Sequence, residues 1–345
     1  SRGLGDVYKR QRLGVDVTGP MLGKAKTSAK VEVDFRGSGT TYSLFRIRHV
    51  YFNLDWGKSA LLVGQTWHPL YGDVAPEILN LNMGAPYQPF SRAPQIRYRF
   101  TSNNFMLTAA AIWQSQYLSV GPKTNKPGET STRKSQEFMK KSCVPEFYLG
   151  VDYKRPGLIA GAGLHVSSIT PRTQSETEDA VYFVNERVTG ISGEAHVKYT
   201  KENWLVSAKT VLGTNLTQTS TVGGYGITSI DEVTGKQQYS PLRTSSTWVN
   251  VAYGKKWRPA LFFGYLKNLG ATKEVPYGAL GTGTTLDQLF TGTAELTYNI
   301  PHWKFGAEYS LCNAWYGDEF DAKAKAINSH SILNHRIVLV ALFQF

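Results

Sequence analysis

Few residues in this 345-residue chain have the types and spacing of a known catalytic motif. Gly57-Lys58-Ser59 resembles the end of a nucleotide-binding P-loop, but that motif needs a glycine where this chain has Phe52. The run from Gly278 to Gly283 is rich in glycine, yet no strand and helix pattern of a dinucleotide site surrounds it. The sequence also lacks the GxSxG and HExxH motifs. These patterns are therefore weak evidence for nucleotide binding or hydrolysis.

The two cysteines, Cys143 and Cys312, lie far apart and form no CxxC pair. A disulfide framework or a thiolate metal site is therefore not expected. No metal and no organic cofactor is predicted from the sequence.

Charged residues alternate with apolar ones along several segments. Arg97 and Arg99 alternate with Ile96, Tyr98 and Phe100. The same period of two runs from Trp303 to Leu311, where Lys304 and Glu308 oppose a row of apolar residues. Period two with one apolar face predicts a strand whose two faces meet different surroundings.

Short polar turns recur at intervals of 45 to 54 residues, each flanked by aromatic residues. The flanking pairs include Phe100 and Phe105, Tyr199 and Trp204, and Tyr298 and Trp303. Longer polar loops alternate with these turns, at 121–141, 171–186, 215–244 and 268–285. Short turns on one side, long loops on the other and an aromatic belt are typical of a transmembrane β-barrel.

Two soluble folds compete with this interpretation. A β-propeller has a similar period, but each repeat here holds two strands of about ten residues rather than the four strands of a blade. A soluble, adhesin-like β-sandwich would show the same alternation. The final segment, His335 to Phe345, alternates cleanly and ends on an aromatic residue, as in the signal that the outer-membrane assembly machinery reads. Its apolar run of seven residues, Ile337 to Phe343, is too short for a membrane helix. We therefore predict an all-β, antiparallel, up-and-down transmembrane barrel.

Fifteen strand-like runs are found between residues 12 and 345. Single-chain bacterial barrels have even strand numbers, so we expect sixteen with the first missing. Residues 1–11 resemble an adapter-derived scar and are set aside as non-native. The scar carries three basic residues and one acidic residue, so +10 of the net charge of +12 belongs to the barrel domain at 12–345. The natural N-terminus, with its signal peptide, is expected to be lost.

The segment from Arg46 to Leu70 resembles the DcaP-like and phosphate-selective-type porins. Exact motif matches are confined to about residues 45 to 100, although a general resemblance to these porins extends over most of the chain. The resemblance implies sixteen strands, a homotrimer and passive uptake of small, often anionic solutes. The sequence departs from the family because it shows neither an N-terminal coiled coil nor a dense ladder of basic residues.

The loop at 67–91 is unusually apolar and contains four prolines. We expect it to fold inward and narrow the pore, with Tyr71, Asp73 and Glu77 near the constriction. A trimer latch or a packed Ω-loop is the alternative. The predicted pore-lining residues are Arg97, Arg99, Lys30, Arg36, Lys198, Lys209, Lys304 and Glu308. Basic rows favour anions, and the acidic loop residues would oppose them across the pore.

The sequence therefore predicts an outer-membrane porin rather than an enzyme. Expected partners are outer-membrane lipids and lipopolysaccharide, the barrel-assembly machinery through the last strand, and further copies of the chain, with no nucleic acid. A substrate-specific channel with a narrow lumen is the first alternative. An outer-membrane hydrolase with a serine, histidine and aspartate or asparagine site is the second. His49, His165, His196 and His335 are interpreted as lumen or interface residues instead.

Overall fold

The computed structural model describes residues 12–35, 45–80 and 84–344. Within these ranges the regular secondary structure is almost entirely strand, with one α-helix, α1 (Glu137–Ser142), and one 3-10 turn (Thr217–Thr219). None of the helices in these ranges has the length and apolar character needed to span a membrane. The strands are β1 (Arg12–Thr18), β2 (Lys26–Asp34), β3 (Arg46–Asp55), β4 (Ser59–Trp67), β5 (Arg92–Ser102), β6 (Phe105–Ile112), β7 (Val120–Pro122), β8 (Thr132–Lys134), β9 (Glu146–Arg155), β10 (Leu158–Ile169), β11 (Gln174–Glu176), β12 (Val181–Phe183), β13 (Val188–Lys201), β14 (Trp204–Thr214), β15 (Gly223–Ile230), β16 (Gln237–Tyr253), β17 (Trp257–Ala271), β18 (Ala279–Thr282), β19 (Leu286–Ile300), β20 (Trp303–Phe320) and β21 (Ala326–Phe343).

Fifteen of these strands form one continuous wall, each antiparallel to the wall strand before it. The wall strands are β1 to β6, β9, β10, β13, β14, β16, β17 and β19 to β21. The short strands form hairpins in the long loops, and β15 extends the sheet by pairing with β16 and β18. The predicted all-β, up-and-down antiparallel architecture is confirmed. The described residues contain no pairing between β1 and β21, and the sixteenth strand between them stays a prediction.

The wall has an apolar outer face and a polar inner face. In β5, Ile96 and Tyr98 are 56% and 42% exposed, whereas the alternate residues Gln95 and Arg97 are buried. Aromatic residues that flank the short turns contact each other across neighbouring strands and form a belt. The contacting pairs are Phe105 and Tyr153, Trp204 and Tyr253, Trp257 and Tyr298, and Trp303 and Phe343.

The wall curves around the segment that joins β4 to β5, residues 68–91. Backbone and side-chain groups of this segment bond to β5 and β9 at one end and to β19 and β20 at the other. A flat sheet of fifteen strands could not place these strands around a single segment, because neighbouring strands lie about 4.8 Å apart. The sheet therefore encloses an interior, and the described residues of this segment, 68–80 and 84–91, lie inside it.

Several later wall strands are longer than the sequence patterns predicted. β16 begins at Gln237, β17 ends at Ala271, β20 ends at Phe320 and β21 begins at Ala326. The corresponding strand-like runs of the sequence, at 245–254, 258–267, 302–312 and 331–345, stopped where the alternation of apolar residues stopped. The extensions mix polar residues with apolar ones such as Trp315, Phe320 and Ile327 without regular alternation, although they pair with neighbouring strands.

The two faces of β21 should respond differently to a buried charge. Leu339 is 78% exposed on the outer face, whereas Val338 faces inward opposite Glu308. Leu339→Arg should lower the free energy of unfolding by about 2–4 kcal/mol, because it places a cation in hydrocarbon. Val338→Arg should change it by under about 1 kcal/mol, since the new cation meets water and Glu308. Urea titration of the barrel in lipid vesicles measures both, and equal losses would contradict the assignment of faces.

Candidate functional site

The segment at 68–91 is anchored inside the wall by apolar side chains. Leu70 and Val74 are completely buried and Tyr87 is 2% exposed. Val74 and Tyr87 belong to a cluster with Trp248 and Phe262 of the opposite wall. Because such contacts remove apolar surface from water, they hold the segment against one side of the interior.

Trp248 is the central residue of this contact. Its ring is fully buried and lies 6.2 Å from the ring of Phe262. Its indole N–H donates a hydrogen bond of 2.8 Å to the side-chain oxygen of Gln88, which is also fully buried. Trp248 therefore joins the wall to the segment through both packing and a hydrogen bond.

Asp73 of the segment meets two basic residues of the wall. Its carboxylate lies 2.6 Å from Lys154 Nζ in β9 and 3.6 Å from an Arg99 Nη atom in β5. All three side chains keep between 32% and 40% of their surface exposed, so they border the open part of the interior. Burial alone would raise the pKa of Asp73, but the charge of Arg99 and the Lys154 ammonium outweigh it and lower the pKa to about 2. Asp73 is therefore ionised at neutral pH.

Glu77 has a similar arrangement further along the segment. Its carboxylate lies 2.8 Å from Lys198 Nζ in β13 and 2.7 Å from an Arg258 Nη atom in β17. We name these six charged residues the lumen charge cluster: Asp73, Glu77, Arg99, Lys154, Lys198 and Arg258. Four are basic and two are acidic, so the cluster carries an excess of two positive charges.

The segment continues to the far wall, where acidic side chains bind its backbone. The Leu79 N–H donates to Glu295 in β19 at 2.8 Å, and the Asn80 N–H donates to Glu308 in β20 at 3.1 Å. Gly306 makes room for this approach, because a Cβ atom there would lie only 2.7 Å from Leu79 Cδ1. Glu308 is therefore an inner-wall residue that also accepts a hydrogen bond from the backbone of the segment.

Lys209 binds the start of the segment and Arg97 binds the last residue of β4, directly before it; neither borders open space. Lys209 Nζ donates to the carbonyl oxygens of Leu70 and Tyr71 at 2.9 and 2.8 Å. Arg97 donates to the carbonyl oxygen of Trp67 at 2.5 Å. Both side chains are buried, at 2% and 8% exposure, so they position the segment.

The remaining predicted residues lie elsewhere. The Tyr71 ring stacks on Trp67 at 4.0 Å and is buried. Lys30 of β2 pairs with Asp16 of β1 at 3.1 Å. Lys304 lies in β20 on the same face as Gly306, and Arg36 falls outside the described residues.

Three residues of the interior were not among the predicted site residues. Lys154 shares the inward parity of Glu146 and Asp152 in its strand, a signal that could have found it. Arg258 and Trp248 share the inward parity of their strands in the same way. Their partners Glu77 and Gln88 are 181 and 160 positions away in the chain, so no local pattern connects them.

Three of the histidines named in the sequence analysis contact polar side chains of neighbouring wall residues. His49 Nδ1 lies 3.0 Å from the Thr66 hydroxyl. His196 bonds to Glu194 and Asp152 at 2.9 and 2.8 Å. His335 lies 2.7 Å from the Tyr309 hydroxyl.

Removing the Lys209 ammonium should loosen the segment. Lys209→Met leaves the buried carbonyls of Leu70 and Tyr71 without their donor, which costs about 1–3 kcal/mol for each unsatisfied group. We expect protease cleavage within residues 68–91 of the folded barrel to become at least tenfold faster. Lys304→Met is the matched control, because Lys304 makes no hydrogen bond to the described part of the segment. Equal cleavage rates in the two variants would argue against the anchoring role.

Comparison with known proteins identifies the fold. No family model matches the chain, and no curated protein matches it. Among solved structures, the outer-membrane channel DcaP of Acinetobacter baumannii matches with a TM-score of 0.68 and 16% identity over 97% of this chain and 84% of that one. OmpF of Salmonella typhi matches with a TM-score of 0.56 and 13% identity over 99% and 93% of the two chains. An anion-selective porin from Comamonas acidovorans matches with a TM-score of 0.54 and 11% identity over 96% and 87%. The chain has the fold of the outer-membrane porins.

Proposed function

We propose that this protein is an outer-membrane channel through which small hydrophilic solutes diffuse passively, with a weak preference for anions. The observation that carries the proposal is the lumen charge cluster, which borders the open interior of a porin-like wall with four basic and two acidic residues. A water-filled interior with such a charge excess favours anions over cations. Because the acidic residues lie in direct contact with the basic ones, the preference is weak.

Residues 68–91 form the constriction in this proposal. The segment is held on one side by Trp248 and Phe262, and its exposed edge presents Asp73 and Glu77 to the solute path. Arg97, Lys209 and Glu308 act by holding the segment in place. Arg99, Lys154, Lys198 and Arg258 act on the solute directly.

The proposed setting is the Gram-negative outer membrane. The apolar outer face would contact lipid and lipopolysaccharide, and the last strand would be read by the barrel-assembly machinery. A homotrimer is proposed as well, and an OmpT structure from Vibrio cholerae with the same wall architecture is described as a trimer form. Neither a cofactor nor catalysis is part of the proposal.

A solute-specific channel is the second candidate, and one observation favours it. The apolar cluster of Val74, Tyr87 and Trp248 fills part of the interior and leaves less space for a general solute path. A general pore would discriminate by size and charge alone, whereas a specific channel would saturate with one solute.

Liposome swelling tests the proposal and separates the candidates. Vesicles containing the protein should admit a neutral monosaccharide, its uronate analogue faster, and its amino-sugar analogue more slowly. Rates should rise linearly with solute concentration. Saturation by a single solute would support the specific channel, and no uptake of any solute by correctly folded protein would overturn the channel proposal and leave the hydrolase alternative.

A further inference from the structure

A second polar cluster lies behind the base of the segment. His68 is the first residue after β4, Glu146 begins β9 and His165 lies within β10. Their exposures are 2%, 1% and 0%, so water has little access to them. No part of the proposed solute path uses these three side chains. Burying a carboxylate is costly unless hydrogen bonds or an opposite charge compensate its negative charge.

The three side chains direct their ligand atoms to one point. Glu146 Oε2 lies 3.3 Å from His68 Nε2 and 2.7 Å from His165 Nε2. All three potential ligand atoms lie within 4.8 Å of one another, and the described residues contain no other such group. Ligand atoms around a tetrahedral metal with bonds of about 2.0–2.1 Å are about 3.3 Å apart, so a small expansion of this cluster would accommodate an ion.

We propose that His68, Glu146 and His165 form a binding site for a divalent transition-metal ion of the zinc type. Two imidazole nitrogens and one carboxylate oxygen are the ligand set that such ions prefer over magnesium or calcium, which favour oxygen ligands. Both histidines bind through Nε2, and Glu146 supplies the negative charge that the ion neutralises.

Gln218 is placed to supply a fourth ligand. Its amide nitrogen lies 3.1 Å from Glu146 Oε2, and its amide oxygen is buried without a hydrogen-bond partner. A 180° rotation of the amide exchanges the two atoms and directs the carbonyl oxygen at the cluster. That orientation is unfavourable beside a bare carboxylate and becomes favourable when a cation lies between them.

Metal binding is coupled to the backbone at the start of the segment. The Leu70 N–H donates to His68 Nδ1 at 3.1 Å, so the imidazole carries its single proton on Nε2. Binding through Nε2 moves that proton to Nδ1, and the Leu70 N–H then loses its acceptor. The same change breaks no hydrogen bond at His165, because its Nδ1 has no hydrogen-bond partner. A bound ion would therefore alter the loop end where Lys209 also binds.

Calorimetry on untagged, refolded protein stripped of metal tests the site, with Zn²⁺ as the titrant and Co²⁺ as a spectroscopic probe. We expect one high-affinity ion per chain and a Co²⁺ spectrum typical of tetrahedral coordination. His165→Gln should weaken this binding at least tenfold. His196→Gln is the control, because both nitrogens of that buried imidazole already bond to carboxylates, and it should leave the binding unchanged.

Three results would overturn the proposal: no stoichiometric Zn²⁺ binding by the wild-type protein, equal binding by His165→Gln, or an octahedral Co²⁺ spectrum. X-ray absorption of the zinc-loaded wild-type protein keeps the proposal testable if His165→Gln does not fold. Two nitrogen ligands with additional oxygen ligands support the site. A signal from six oxygen ligands contradicts it.

Discussion

Replacing Lys198 and Arg258 together by glutamine should reduce the ratio of anion to cation permeability about threefold. Both residues contact Glu77, so the lumen charge cluster would change from an excess of two positive charges to neutrality. A unit charge contributes about 0.5 kcal/mol at about 8 Å in water. Screening over a Debye length of about 8 Å at physiological salt leaves roughly one third of this. Removing each of the two charges disfavours anions and favours cations by this screened energy. The two removals together therefore change the ratio of anion to cation permeability by about a factor of three.

Reversal potentials under a salt gradient measure this change. Glu77→Gln should shift the potential in the opposite direction, because it removes a negative charge from the same place. The control removes two positive charges from the exposed strand β8 of the β7–β8 loop hairpin, with Arg133→Gln and Lys134→Gln, and should change the potential little. If the double lumen variant and this control gave the same potential, the cluster would not border the conducting path.

Trp248→Ala should destabilise the protein by about 3–5 kcal/mol, as expected when a large buried aromatic residue is truncated. The variant removes the ring that packs on the segment and leaves the buried Gln88 oxygen without its donor. We also expect larger and noisier single-channel conductance, because the segment loses its attachment to that side of the interior.

Trp257→Ala is the control for this experiment. Trp257 is 59% exposed in the aromatic belt, so its truncation leaves no cavity in the interior. Urea titration of both variants in lipid vesicles gives the free energies of unfolding. Equal losses for the two tryptophans would refute the anchoring role of Trp248.

The wall could be predicted from local patterns because each strand carries its own signal. Alternating residues such as those around Arg97, and aromatic residues beside short turns, identify a strand without knowledge of its neighbours. Fifteen wall strands were predicted, and the described part of the chain contains fifteen. The end of β20 and the beginning of β21 were missed because there the alternation no longer separates apolar from polar residues.

The interior could be predicted only in part. Asp73 and Glu77 attracted attention because they are charged residues in an apolar segment. Their partners could not be chosen, because contacts such as Glu77 to Arg258 join residues 181 positions apart. The sequence also could not show that Arg97 binds the Trp67 carbonyl whereas Arg99 pairs with Asp73. Both arginines have the same inward parity, and only the path of the segment distinguishes them. The cluster of His68, Glu146 and His165 also joins residues that are distant in the chain, so no local pattern could identify it.

Single-channel recording in a planar lipid bilayer tests the central claim most directly. The account predicts stepwise conductance by the folded protein that increases with salt concentration, together with a reversal potential displaced toward anions under a salt gradient. That displacement should shrink as salt concentration rises, because screening weakens the field of the lumen charge cluster. Insertion of folded protein without any conductance steps would contradict the account.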